Sequence, residues 1–154
     1  MKFFCIGINH KTAPVELRER VNITHEALAE GYQTADWLSG IAMVSTCNRI
    51  ELYASTADDA RLEDMTSLWG KICDVDAAEF SPSLYQSSDH SAVSHLLRVS
   101  AGLESMVLGE PQILGQVIRA NETAIANQTA DALLKSVFQF AIRSGKRART
   151  RNKN

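Results

Sequence analysis

The stretch Ser45-Thr46-Cys47-Asn48-Arg49-Ile50-Glu51-Leu52-Tyr53 brings a thiol, a guanidinium and a carboxylate together between two apolar runs, Ile41 to Val44 and Ile50 to Tyr53. A cysteine is an effective nucleophile only as its thiolate, so Cys47 calls for a nearby cation, a helix N-terminus or a base. Arg49 lies two residues on. Alternate residues of a strand share a face, so its guanidinium either supports a thiolate or binds an anionic group of a substrate. Glu51 continues the same period. The plain alternative is that Cys47 is a small buried hydrophobe, the usual state of an unpaired cysteine.

Two further groups carry chemistry. His95, one of four histidines, falls off the apolar stripe of Val93, Leu96, Leu97 and Ser100, which leaves it either a partner for Cys47 or a solvated helix residue. His90 and His95 are five apart and do not share a helix face, which disfavours a zinc-binding pair. The stretch from Ser105 through Glu110 and Pro111 to Gln112 crowds a hydroxyl, a carboxylate and an amide at a helix start, where unpaired N–H groups and the dipole favour an anion. Gln112 and Gln116 are four apart and share one face of that helix. The same stretch also reads as a well-capped interior helix.

These groups need a scaffold. β-branched and aromatic residues enrich both runs around Cys47, which predicts two short strands with a sharp connection at Thr46-Cys47-Asn48 and sets the thiol at a strand end. Phe3 to Ile8 predicts a buried first strand, ended by Asn9-His10-Lys11-Thr12 ahead of Pro14 at the first position of a short helix, Val15 to Val21. Thr24 caps a second helix, expected from His25 to Leu38. A helix starting near Thr56-Ala57-Asp58 carries Leu62, Met65, Leu68, Trp69 and Ile72, and a loop from Asp74 to Ser83 leads to a short edge strand at Leu84-Tyr85-Gln86.

From Ser88 onward the pattern is helical. A helix from Asp89 to Ser100 is followed by one opened by Pro111, with Ile113, Leu114, Val117, Ile118 and Ile125 on its buried side, and by a last one from Asp131 to Thr150. The expected fold class is α+β. A small sheet covered by helices (1–87) is followed by a helical lobe (88–154) within a single domain. The last helix runs into charged residues with no turn signal and looks cut rather than finished.

A composition of 45% hydrophobic and 22% charged residues is that of an ordinary globular domain and argues against global disorder. The formal charge of −2 hides an asymmetry, because Arg143, Lys146, Arg147, Arg149, Arg151 and Lys153 close the chain with no acid among them. Such an end either meets nucleic-acid phosphates or is a solvated helix face. Three cysteines with no Cys-x-x-Cys suggest neither a disulfide framework nor a zinc cluster, and no metal is expected. No segment reads as a signal peptide or approaches the ~20 apolar residues of a membrane span, so a cytoplasmic setting without membrane contact is expected.

Three blocks together resemble a known family. They are Gly7-Ile8-Asn9-His10-Lys11-Thr12-Ala13-Pro14 with Leu17-Arg18-Glu19, then Ser45 to Tyr53, then His95-Leu96 through Gly102 to Gln116. In this order they resemble glutamyl-tRNA reductase, the enzyme that begins the C5 route to tetrapyrroles. The resemblance implies that Cys47 attacks the aminoacyl ester of glutamyl-tRNA to give a thioester, which NADPH reduces to glutamate-1-semialdehyde. It implies a catalytic role for His95, either assisting acyl transfer or hydrogen-bonding the reacting group, and a role for Arg49 in binding the glutamate moiety. Thr46, Ser105, Glu110, Gln112 and Gln116 are implied to line the substrate pocket, with Asn9 and Glu51 as weaker candidates.

A complete reductase of this family also has NADPH-binding and dimerisation domains and forms a homodimer. No Gly-x-Gly-x-x-Gly follows a strand here, so residues 1–154 are expected to be the catalytic, substrate-binding domain alone, with no cofactor bound to it and an open oligomeric state. Glutamate-1-semialdehyde aminomutase is a candidate partner. The competing reading is a non-catalytic tRNA-binding module that uses the basic C-terminal helix. A thiol esterase is disfavoured, because no generic hydrolase motif is present.

Overall fold

The computed structural model describes residues 2–57, 59–104 and 111–152, with only the backbone described for Pro111, Arg151 and Asn152. Four strands, β1 (Lys2–Asn9), β2 (Leu38–Ser45), β3 (Arg49–Thr56) and β4 (Tyr85–Ser88), form one antiparallel sheet in the order β2-β3-β1-β4. Helices α1 (Val15–Arg20), α2 (His25–Gln33), α3 (Leu62–Cys73) and α4 (Ala77–Phe80) belong with one face. Helices α5 (His90–Ser100), α6 (Pro111–Ala126) and α7 (Ala132–Asn152) cover the other. The fold class is α+β. No helix among the described residues is long and apolar enough to cross a membrane.

With both faces covered, the two central strands cannot alternate apolar with polar, and they do not. All eight residues of β3 are buried, and β1 is buried from Phe3 to Ile8. The period of two instead sorts residues between two cores. Phe4, Ile6, Ile8, Ile50, Leu52 and Ala54 meet Val21, Leu28, Met65, Trp69 and Phe80 on the first face. Phe3, Cys5, Val44 and Tyr53 meet Ala92, Leu96, Val117, Leu134 and Phe138 on the second. Arg49, Glu51 and Ser55, in phase with Tyr53, therefore fall on the second face, and they are buried there.

Several boundaries differ from the sequence reading. The second helix stops at Gln33 with Thr34 as its C-cap, and Leu38, read as its last residue, opens β2. The strands flanking Cys47 are eight residues each, because Gly40, Ser55 and Thr56 extend them with partners that local pattern does not reveal. Ser55 Oγ donates to Asp131 Oδ1 at 2.7 Å, and a Cβ on Gly40 would stand 2.7 Å from the same oxygen. Edge strand β2 is held by Thr129, whose hydroxyl donates to the Ile41 carbonyl at 2.9 Å. The expected loop from Asp74 to Ser83 contains α4, capped by Asp76, and a 3-10 turn at Ser81–Ser83. Pro14 is the N-cap of α1 rather than its first residue. Ile125, assigned to the buried side of α6, is 45% exposed, and Ala120 and Ala124 are buried instead.

Two attachments fix the elements next to Cys47. Trp69 of α3 is fully buried, packs edge-on against Phe80 at 5.6 Å, and donates from Nε1 to the Val21 carbonyl at 2.8 Å, which anchors the end of α1. Asp89 reaches back to the first strand, accepting from the Phe3 N–H at 3.2 Å, and so ties the start of α5 to the sheet.

Trp69→Phe leaves the Val21 carbonyl without its donor and a small void beside Phe80. We expect a loss of about 2–4 kcal/mol, read as a lower urea midpoint with unchanged denaturant slope. A loss below about 0.5 kcal/mol would mean the anchor contributes nothing net.

Candidate active site

Thr46-Cys47-Asn48 is the tight connection between β2 and β3. The Thr46 N–H donates to the Arg49 carbonyl at 2.8 Å, and the Thr46 hydroxyl accepts from the N–H groups of Asn48 at 3.1 Å and Arg49 at 3.2 Å. Thr46 thus holds the turn together. The Asn48 carbonyl accepts from the His10 N–H at 2.9 Å, while Asn9 Oδ1 accepts from the N–H groups of Lys11 and Thr12 at 2.9 and 3.1 Å. The Asn9-to-Thr12 turn is therefore a buttress for the cysteine turn. Of the three cysteines, Cys47 alone is exposed.

Arg49 and Glu51 point away from solvent. Glu51 is fully buried, and its Oε2 accepts from Arg49 Nη1 at 3.1 Å, from the Tyr85 hydroxyl at 2.5 Å and from His95 Nε2 at 2.5 Å. Its Oε1 accepts from the Tyr53 hydroxyl at 2.7 Å. Arg49, 3% exposed, also donates from Nη2 to the Glu104 carbonyl, and the Glu104 side chain pairs with Arg98 at 2.8 Å. The Glu51 carboxylate thus joins β3, β4 and α5, and Arg49 extends the connection to the segment after α5. Gly7 leaves room for it: a Cβ there would lie 2.8 Å from Glu51 Cγ and 2.9 Å from the Tyr85 hydroxyl.

Burial alone would raise the Glu51 pKa. The hydrogen bond and charge of His95, then Arg49 and the Tyr85 hydroxyl, outweigh it and hold the pKa at about 2. With Glu51 ionised, His95 must carry a proton on Nε2 and donate it. That leaves Nδ1 as the ring nitrogen available for a second partner. Burial, followed by the Glu51 charge, pushes the Cys5 thiol up, and burial likewise raises the Tyr85 hydroxyl. Both stay protonated near neutral pH.

Cys5, Glu51 and His95 bring three metal-ligating atoms within 4.8 Å. The arrangement does not fit a cation. The 2.5 Å between Glu51 Oε2 and His95 Nε2 is a hydrogen bond, and the Arg49 guanidinium occupies the same oxygen. Among the described residues the sheet is antiparallel, unlike the parallel sheet of a doubly wound dinucleotide-binding fold.

Gln112 is exposed and Gln116 half-buried on α6, while Ser105 and Glu110 lie outside the described residues. On α7, Arg143, Lys146 and Arg147 are exposed, and Arg149 donates to the Ser100 carbonyl at 3.4 Å. A larger cleft of about 670 Å³, bordered by Lys2, Arg61, Glu63 and Gln86, contains neither a cysteine nor a histidine among the described residues. Sequence reading missed Tyr53 and Tyr85 and ranked Glu51 low. Its signal was a carboxylate inside an otherwise apolar strand, which can be buried only with partners.

The family model for the N-terminal domain of glutamyl-tRNA(Glu) reductase matches residues 6–152. The chain belongs to this family. It is 43% identical over 153 residues to a glutamyl-tRNA reductase of Marinobacter nauticus, covering 97% of this chain and 35% of the relative. It also matches the solved structure of glutamyl-tRNA reductase from Methanopyrus kandleri with a TM-score of 0.82 and 39% identity, over 97% of this chain and 34% of that one. This reductase domain therefore spans about a third of the length of its relatives.

The Glu51 cluster sets a pH dependence. A carboxylate whose folded pKa is about 2 against an ordinary 4.5 adds stability that is fully present above pH 4.5 and lost as pH falls toward 2. Glu51→Gln leaves Arg49 buried without its counter-charge. We expect a loss of about 3–5 kcal/mol at pH 7, with the gap to the wild type narrowing between pH 4.5 and 2. Urea melts across that range test this, and a gap independent of pH would contradict it.

Proposed function

We propose that this chain is the acyl-accepting part of a glutamyl-tRNA reductase, with Cys47 as the nucleophile. The Cys47 thiolate adds to the carbonyl of the aminoacyl ester. A C–S bond forms, the ester C–O bond breaks, and the tRNA leaves as its ribose alkoxide, which takes up a proton. The glutamyl group stays on the enzyme as a thioester, whose carbonyl is more electrophilic than that of the ester. In the full-length enzyme, reduction to the aldehyde draws on NADPH.

The observation that carries this reading is the exposure of Cys47 on a turn held by Thr46 and His10, within the family's own motif. An ester at the end of a large nucleic acid can reach only an exposed thiol. In this reading His95 is the proton-handling partner, oriented through Nε2 by Glu51 in the way a carboxylate orients a catalytic imidazole. Arg143, Lys146 and Arg147 on the exposed side of α7 supply phosphate contacts for the tRNA. The same helix supports the second reading, a tRNA-binding module without acyl transfer.

Mixing the chain with glutamyl-tRNA labelled on the amino acid, then quenching in acid, separates the two. The expected result is about one hydroxylamine-labile glutamyl group per chain on Cys47, absent in Cys47→Ala and reduced in His95→Gln. Salt-sensitive tRNA binding with no covalent label in the wild type would favour the second reading.

A further inference from the structure

Glu51 does not share its two oxygens evenly. Oε1 accepts from the Tyr53 hydroxyl, whereas Oε2 accepts from His95 Nε2, the Tyr85 hydroxyl and Arg49 Nη1. The imidazole and the Tyr85 hydroxyl both approach Oε2 at 2.5 Å, and their rings lie against each other with centroids 5.6 Å apart. A carboxylate oxygen offers about two lone-pair directions. Donors crowded on one oxygen draw on the same charge, so strengthening one weakens the others.

The Tyr85 hydroxyl is held in place from outside the cluster. Tyr85 pairs with Gly7 across the sheet edge, and a Cβ on that glycine would stand 2.9 Å from the hydroxyl. Burial, then the Glu51 charge, pushes its pKa up, so it stays a donor near neutral pH. The other groups around His95 are the Arg49 guanidinium on β3, the Cys5 thiol on β1, kept protonated by burial, and Glu104 after α5, which is paired with Arg98. Among the described residues, Arg49 and Tyr85 share the oxygen that His95 uses, and Arg49 is a fixed charge.

We propose that Tyr85 is a positioning residue that sets how strongly Glu51 holds the proton on His95, and with it the pH range in which His95 accepts a second proton. The catalytic part rests on His95 being the proton-handling partner of Cys47. In that step the thiol proton leaves Cys47, Nδ1 takes it up, and Glu51 stabilises the resulting imidazolium through Nε2–H. The Tyr85 hydroxyl disperses part of the carboxylate charge. Without it the protonated ring is favoured, and the acid limb of the acylation rate moves to higher pH. A stronger donor at the same place moves it to lower pH.

The test has two arms, and the first needs no turnover. In Cys47→Ser, the titration of His95 is followed by NMR of 15N-labelled histidine, with His95→Gln assigning the signal. Tyr85→Phe is expected to raise the midpoint relative to its parent by roughly 0.3–1 pH unit, and Tyr53→Phe, which acts on Oε1, by less. Tyr85→3-fluorotyrosine keeps the shape with a more acidic phenol and should lower it. A residue that only fills space gives no such pair of opposite shifts. Unchanged midpoints in both Tyr85 variants, or shifts of the same sign, overturn the proposal.

In the second arm, with Cys47 intact, acylation by glutamyl-tRNA is measured over the same pH range. The acid limb is expected to follow the NMR midpoint in each variant. A shifted midpoint with an unmoved limb would overturn the catalytic part and sink His95 as the proton acceptor, leaving the coupling of Tyr85 to His95 established by the first arm. Failure of Cys47 to accept the acyl group is read separately, because the first arm does not depend on it.

Discussion

The ionised carboxylate of Glu51 is the constraint on which the second face of this domain depends. An isolated carboxylate in an apolar core would cost more than the domain can offset, and it would take up a proton instead. Here Arg49, Tyr53, Tyr85 and His95 all donate to it, each from a different direction. No single donor could compensate the burial. The donors are therefore interdependent: loss of the carboxylate leaves a guanidinium, two hydroxyls and an imidazole without their shared acceptor.

That interdependence explains features that look unrelated along the chain. Gly7 lacks a side chain because Glu51 Cγ and the Tyr85 hydroxyl fill the space its Cβ would need. The short edge strand β4 pairs with β1 through Phe4–Ser88 and Gly7–Tyr85, which sets Tyr85 over the carboxylate. His95, expected off the apolar stripe, instead lies on the buried side of α5, three residues after Ala92 and four before Val99, where its ring reaches toward Tyr85 and Glu51. Sheet register, a glycine and a helix rotation all serve one polar contact set.

The pattern of elements was legible in the sequence because it depends on local period and capping. The strand-turn-strand around Cys47, the buried first strand and the amphipathic helices all follow from apolar spacing over a few residues. Where helix and strand periods overlap, at Ala35 to Leu38, the pattern could not place the boundary, and the turn after Gln33 decided it. The polar cluster was less legible for a different reason. Glu51 meets Tyr85 and His95 across 34 and 44 residues of chain, and those pairings exist only once β4 and α5 are docked. Arg18 and Cys47 likewise share a cleft only because α1 folds back across the turn.

The two sides of the Cys47 turn now divide the work by solvent access. The Cys47 thiol is exposed, and an exposed thiol cannot be oriented by the packing of its own side chain. Its position must come from the backbone. The Thr46 hydroxyl, the His10 N–H and the β2–β3 pairing supply this, while the buried charges of Arg49 and Glu51 lock the strand that leaves the turn. Charges placed where water could reach them would hold that strand far more weakly, since exposed ion pairs contribute little. The side facing α1 keeps Arg18, whose Nη1 donates to the Ala13 carbonyl. Burial of Arg49 beside Glu51 thus fixes the strand that leaves a turn carrying an exposed thiol.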